Sequence, residues 1–187
     1  MRVEVYAKEP LVEKRDCEKV IFWDCETTGL LNNVEKSSVV SITFLASNGR
    51  RISAVGDAEG YILQLAFSVF MQYPDCLFVG YNTEQFDIPF ITKRAEIIKY
   101  PEEEIALPTW NLDLFHVVNK DRQGKWLSLS EACKYYGTGV HIKYSGKEVP
   151  ELVKEGKWSK VLEHNIEDVV ATKALYEALI KAGTIEE

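Results

Sequence analysis

Cysteine is scarce in this chain: four among 187 residues (Cys17, Cys25, Cys76, Cys133), with no C-x-x-C pair. A disulfide framework and a thiolate zinc site are therefore not expected. Long apolar runs are missing as well. None approaches the roughly 20 residues needed to cross a bilayer, so no membrane partner is expected. The opening Met1-Arg2-Val3-Glu4 lacks the apolar core of a signal peptide, and a cytoplasmic (intracellular) location is expected. Positive charge is in deficit, with 22 Lys and Arg against 29 Asp and Glu, a net charge of −7. That balance argues against wrapping a long duplex by phosphate neutralisation alone. Internal repeats, low-complexity tracts and clear linkers are absent too, so residues 1–187 read as a single domain.

What is present is an ordinary globular composition, 46% hydrophobic and 27% charged. Met1–Ala7 alternates apolar and polar residues and reads as a short edge strand; Pro10–Glu18 reads as a connector. Lys19–Asp24 predicts a buried strand, Leu31–Lys36 a loop, and Val39–Leu45 and Arg51–Val55 two more strands around a tight Asn48-Gly49 turn. Glu59–Tyr73 has helical periodicity. Cys76–Gly80 is wholly apolar and reads as an inner strand. Asn82 is read as the cap of a helix reaching Lys99, and Trp110–Leu114 as a further strand. Ser128-Leu129-Ser130-Glu131 is a capping box that opens a helix stopped at Gly137. Gly146–Gly156 reads as exposed, and Trp158–Lys181 as one long helix. The pattern predicts an α/β domain with a mixed five-stranded sheet containing an antiparallel meander and flanked by helices.

Acids mark three places. Asp24 and Glu26 sit two apart at the end of the first buried strand, so both carboxylates leave one face and Cys25 the other. Carboxylates crowded there repel each other and lose solvation, which a hard divalent cation relieves. Asp87 sits in the first turns of the helix read as capped by Asn82, just beyond an apolar strand. Asp168 lies in the last helix, one turn after His164, on the face that carries Val161, Ala171 and Leu175. Asp113 reads as a structural acid. Lys120, Arg122, Lys125, Lys134 and further lysines give residues 119–160 a basic excess. Trp126, Tyr135 and Tyr136 stand among them; stacking on a single strand is one reading and core packing the safer one for all three.

The segments Phe22–Gly29, Gly80–Pro89 and His164–Val169, in that order, resemble the three motifs of the DEDD superfamily of 3′-to-5′ exonucleases, an RNase H-like fold. The second and third look most like the proofreading domain of family B DNA polymerases and its stand-alone relatives. One departure stands out. In the branch with this spacing the residue four before the last Asp is usually Tyr; the His branch places it five before. His164 has the identity of one branch and the register of the other.

The resemblance implies a metal-dependent nuclease that removes 5′-mononucleotides from the 3′ end of single-stranded DNA or RNA. Asp24, Glu26, Asp87 and Asp168 would hold two divalent cations, Mg2+ or Mn2+, about 3.5–4 Å apart. His164 would serve as general base. Thr27, Thr28, Leu30, Asn82 and Phe86 would line the substrate path, with core packing an equal reading for Leu30 and Phe86. Two alternatives remain: a non-catalytic nucleic-acid-binding module of the same fold, and an RNase H-like endonuclease. A polymerase or helicase partner is not readable from the sequence.

Overall fold

The computed structural model describes residues 2–7 and 20–186; the expected connector, with Cys17, lies outside them. Six strands form one mixed sheet: β1 (Val3–Ala7), β2 (Val20–Thr27), β3 (Val39–Ala46), β4 (Arg51–Gly56), β5 (Leu77–Gly80) and β6 (Trp110–Asp113). Their order is β1-β4-β3-β2-β5-β6. Strands β2, β3, β4 and β1 run antiparallel in sequence, and β2, β5 and β6 run parallel. The sheet thus has one strand more than the five expected. The sixth is the N-terminal segment, which reads as a short edge strand in sequence and pairs with β4 at the sheet's edge.

Among the described residues six α-helices accompany the sheet: α1 (Glu59–Gln72), α2 (Asp87–Ile97), α3 (Leu114–Asn119), α4 (Leu129–Tyr135), α5 (Val149–Lys154) and α6 (Trp158–Lys181). Strand β2 is the partition of the core. Its odd residues Ile21, Trp23 and Cys25 join the aromatic cluster under α1 and α2, where Trp23, Phe44, Phe70 and Phe78 pack mostly edge to face. Phe22 faces the other way, into the layer of Leu45, Val79, Ala171 and Leu175 under α4 and α6. Both faces of β2 are covered, so its residues are apolar at consecutive positions until the acids begin.

Several local signals act as read. Gly49 takes φ +85° in the β3–β4 turn, and the Ser128–Glu131 capping box forms in both directions. Helix α6 spans the expected Trp158–Lys181. Other expectations need correction. Asn82 is not a helix cap: it adopts φ +65°, and α2 starts five residues later at Asp87. The 82–86 turn is instead held by Asp113. Its Oδ1 accepts from Asn82 N at 2.6 Å and from Phe115 N at 2.9 Å, and its Oδ2 accepts from Glu84 N at 3.0 Å. Asp113 is therefore structural, as its place on an apolar strand implied. The same carboxylate caps α3, a six-residue helix too short to show a period. Residues 146–156 are not uniformly exposed, because Val149 is fully buried at the start of α5. Trp126 and Tyr135 are not core residues: they are 65% and 64% exposed.

Candidate active site

Asp24 and Glu26 stand near the C-terminal end of β2, where the pairing with β3 slips between Glu26 and Thr27. Such a bulge re-aims side chains at a strand end. Helix α6 crosses this end and brings His164, Asn165 and Asp168 onto the acids. His164 and Asn165 are buried, and Asp168 is half-buried. Asp87 arrives from the first turn of α2, and its Oδ1 accepts from Cys25 N at 3.2 Å and Cys25 Sγ at 3.1 Å. Four carboxylates from three distant segments thus meet where the parallel strands β2 and β5 end, the edge of an open α/β sheet at which ligands bind.

Their electrostatics are unbalanced. Burial pushes the Asp24 and Glu26 carboxyls well above the usual range, and the neighbouring acids push further: Asp87, Glu26 and Asp168 act on Asp24, and Asp168 and Asp87 on Glu26. Asp87 rises to about 6 and Asp168 to about 7, in each case chiefly through burial. Protons or cations are the two ways to relieve such a cluster.

Among the described residues, Glu26, His164 and Asp168 each offer a ligand atom within 4.8 Å of one another. The His164 Nε2 lies 3.7 Å from Glu26 Oε1, and its Nδ1 lies 3.7 Å from Asp168 Oδ2. Both separations exceed a hydrogen bond. Glu26 Oε1, Asp168 Oδ1 and both His164 ring nitrogens are buried without a hydrogen-bond partner. Burial lowers the His164 pKa and outweighs the neighbouring acids, so the imidazole is neutral at pH 7. Orphaned oxygens and an electron-pair donor crowded in one place fit a divalent cation by donor chemistry. Asp24 and Asp87 stand outside this 4.8 Å set, but their charges bear on it.

Asn165 was not legible as a site residue. Its Nδ2 donates to Asp24 Oδ2 at 2.7 Å and to the Asp24 carbonyl at 3.1 Å, and its Oδ1 lies 2.9 Å from Ser41 Oγ. It locks the Asp24 rotamer to α6. The only sequence signal was a polar residue on a helix position that turns out fully buried.

Two clefts among the described residues reach the acids, and Ser145 and Gly146 line both. One, about 460 Å³, is lined by Glu26, Thr27, Leu30, Phe86 and Lys147. The other, about 450 Å³, runs from Ser128 and Ser130 past Lys143 to His164 and Asp168. Leu30 is 64% exposed, while Phe86 is half-buried against Phe90. Thr28 is committed to the turn: its N–H donates to Ser38 O, and its Oγ1 accepts from Ser38 N. Thr27 Oγ1 donates to Gly29 O. Asn82 is half-buried, with its N–H on Asp113. A larger cavity of about 650 Å³, between Tyr6, Arg51 and Val170, contains none of these residues.

A mixed sheet with an acid-lined central strand crossed by a long C-terminal helix defines a nuclease-type domain of RNase H-like fold. The RNase_H superfamily model matches residues 21–180, and the chain belongs to that superfamily. It is 22% identical to a DNA polymerase of Archaeoglobus fulgidus over 96% of this chain and 25% of that protein. It is 26% identical to an uncharacterized protein of Methanocaldococcus jannaschii over 88% of this chain and 97% of that one. Among solved structures, the family B DNA polymerase of the archaeon Pyrobaculum calidifontis superposes with a TM-score of 0.72 at 20% identity, over 86% of this chain and 24% of that one. The chain spans about a quarter of the length of the polymerases it matches. No helix among the described residues is long and apolar enough to cross a membrane.

Proposed function

We propose that this domain is a DEDD-type 3′-to-5′ exonuclease that shortens single-stranded nucleic acid, DNA in preference to RNA, to 5′-mononucleotides. The observation that carries the reading is the meeting of Asp24, Glu26, Asp87 and Asp168 at one strand end. Their carboxyls are all pushed up and no lysine or arginine among the described residues pairs with them. The similarity to a DNA polymerase in sequence and to a family B DNA polymerase in fold supports it.

Two divalent cations, Mg2+ or Mn2+, bound by these four carboxylates would neutralise the scissile phosphate and make a nucleophile from water. The remaining work falls to the protein. Asn165 fixes one Asp24 oxygen and leaves the other free. Neutral His164, with both nitrogens unspent, takes the proton of the attacking water, acting from the register that the Tyr branch occupies. Exposed Leu30 packs on the terminal base, with Phe86 beside it on the same cleft wall. Thr27 and the Thr28 turn set the floor for the terminal sugar, and Asn82 borders the strand path. The domain acts inside the cell, on the 3′ ends of single strands.

End-labelled single strands of DNA and RNA, incubated with Mn2+, test the reading. Stepwise loss from the 3′ end is expected, and no shortening of either strand overturns it. Cutting of a circular single strand would instead identify an endonuclease. His164→Ala should lower the rate while Mn2+ affinity changes little; loss of Mn2+ binding would make His164 a ligand rather than a base.

A further inference from the structure

We infer that Trp126 and Tyr135, with the cations around them, form a base-stacking platform that feeds a single strand into the α4-side cleft. The inference rests on the nuclease reading and extends it to a surface remote from the carboxylates. Both rings are among the most exposed large side chains of the domain, at 65% and 64%. Neither is loosely held. The Trp126 ring packs edge-on against Phe115 with centroids 5.8 Å apart, and Phe115 is braced in turn by Tyr81 at 5.8 Å. The Tyr81 hydroxyl donates to the carbonyl of Leu127, next to Trp126. Tyr135 carries the Arg122 guanidinium over its ring at 4.6 Å and rests against Tyr136 at 5.0 Å. An exposed aromatic that is fixed by its neighbours loses little entropy when a flat group stacks on it.

The charge of this surface opposes that of the whole. Residues 119–136 hold Lys120, Arg122, Lys125 and Lys134 against Asp121 and Glu131, in a chain whose net charge is −7. Among the described residues none of those four cations is in an ion pair. Exposed aromatics interleaved with unpaired cations match a flexible polyanion that carries flat bases. They suit a duplex poorly, since its bases are already stacked. The position also fits. Trp126 lies two residues before Ser128, where the cleft toward His164 and Asp168 begins, and Tyr135 closes the helix whose first turn lines that cleft. A strand crossing the platform continues along the cleft to the acids.

The test is fluorescence anisotropy of a short labelled deoxythymidine oligomer, titrated with the full chain in EDTA so that nothing is cut. Trp126→Ala and Tyr135→Ala should each weaken binding at least about fivefold, the loss of one stacked base. Trp126→Phe should keep most of the affinity. Lys125→Ala combined with Lys134→Ala should flatten the dependence of log affinity on log salt by about 1.4, or roughly 0.7 for each lost phosphate contact on a single strand. Heparin, a polyanion without bases, should bind Trp126→Ala as it binds the wild type. Unchanged oligomer affinity in both aromatic variants, or equal weakening toward heparin, overturns the inference even if the wild type shortens strands. A wild type that binds the oligomer through Trp126 but shortens no strand in Mn2+ sinks the nuclease reading and leaves the platform standing.

Discussion

Two clusters of charged side chains in the interior of this domain are built in opposite ways. Glu59 on α1 and Arg94 on α2 form a closed set. The guanidinium meets the carboxylate twice, Nε to Oε1 at 2.9 Å and Nη2 to Oε2 at 2.7 Å. Its Nη1 donates to Val34 O at 3.0 Å, and Glu59 Oε1 also accepts from Val39 N at 2.8 Å. Charge and hydrogen bonds are balanced within the protein, and the pair ties two helices to the Leu31–Lys36 3-10 turn. At the end of β2 the opposite holds. Four carboxylates share the space with a neutral imidazole, and buried oxygens are left without donors. Desolvated charge is tolerated where it is paired. Where it is left unpaired, the fold bears a cost that only a bound cation or a proton removes. That contrast separates the structural use of buried charge from the functional one in a single core.

The contrast can be broken at its strongest point first. Asp24→Asn should lower strand shortening about a thousandfold or more in Mn2+, roughly 4 kcal/mol of barrier. A loss below tenfold would take Asp24 out of the ligand set. Arg94→Ala should cost about 3–5 kcal/mol of unfolding free energy, because it strands Glu59 in the core. A urea titration measures this, and a cost below about 1 kcal/mol would mean that the pair is not a structural clasp. Glu26→Gln should act in the other direction. In EDTA the variant should be more stable than wild type by about 1 kcal/mol, since a neutral amide relieves the repulsion, yet it should lose the stabilisation that Mn2+ gives the wild type. If it is destabilised in EDTA, the acids are not in conflict.

A further effect is the slope of stability with pH. Folding raises Asp87 from 3.8 to about 6 and Asp168 from 3.8 to about 7, so the native state binds more protons than the unfolded chain in between. Their contribution is greatest below about pH 4 and is lost as the pH climbs through 6 and 7. Melting temperature in EDTA should therefore drift down over that range from these two groups, and Mn2+ should cancel the drift by taking the place of the protons. A metal-free profile that rises from pH 5 to 7 would contradict the raised carboxyls.

Local chemistry was the legible part of the fold. The Asn48-Gly49 turn, the Ser128 capping box and the period of α6 are decided by residues a few positions apart, and each formed where read. The misses are tertiary. Asn82 looks like a cap until Asp113, from β6, takes its N–H and bends the chain left-handed. Val149 sits in a lysine- and glutamate-rich stretch and is buried in a cluster that includes Val40 of β3, Val55 of β4 and Val161 of α6. Trp126 and Tyr135 read as core by residue type, yet both are exposed, one in the loop before α4 and the other at its last position. In the site, alternation along β2 placed Asp24 and Glu26 on one face, and the i, i+4 step placed His164 over Asp168. Asn165 stayed hidden because its partners are 141 and 124 residues away.

The order of residues specifies the inventory: an acid pair on a buried strand, an acid in the first turns of a helix, and a histidine and an acid one turn apart on the last helix. Backbone periodicity fixes those relations within each segment, whatever the rest of the chain does. Tertiary structure alone decided that the segments meet, that His164 is kept neutral by burial, and that Asn165 rather than solvent holds Asp24. Distance and desolvation are properties of the packed chain, and the same carboxylates spread along an open polypeptide would titrate as ordinary acids.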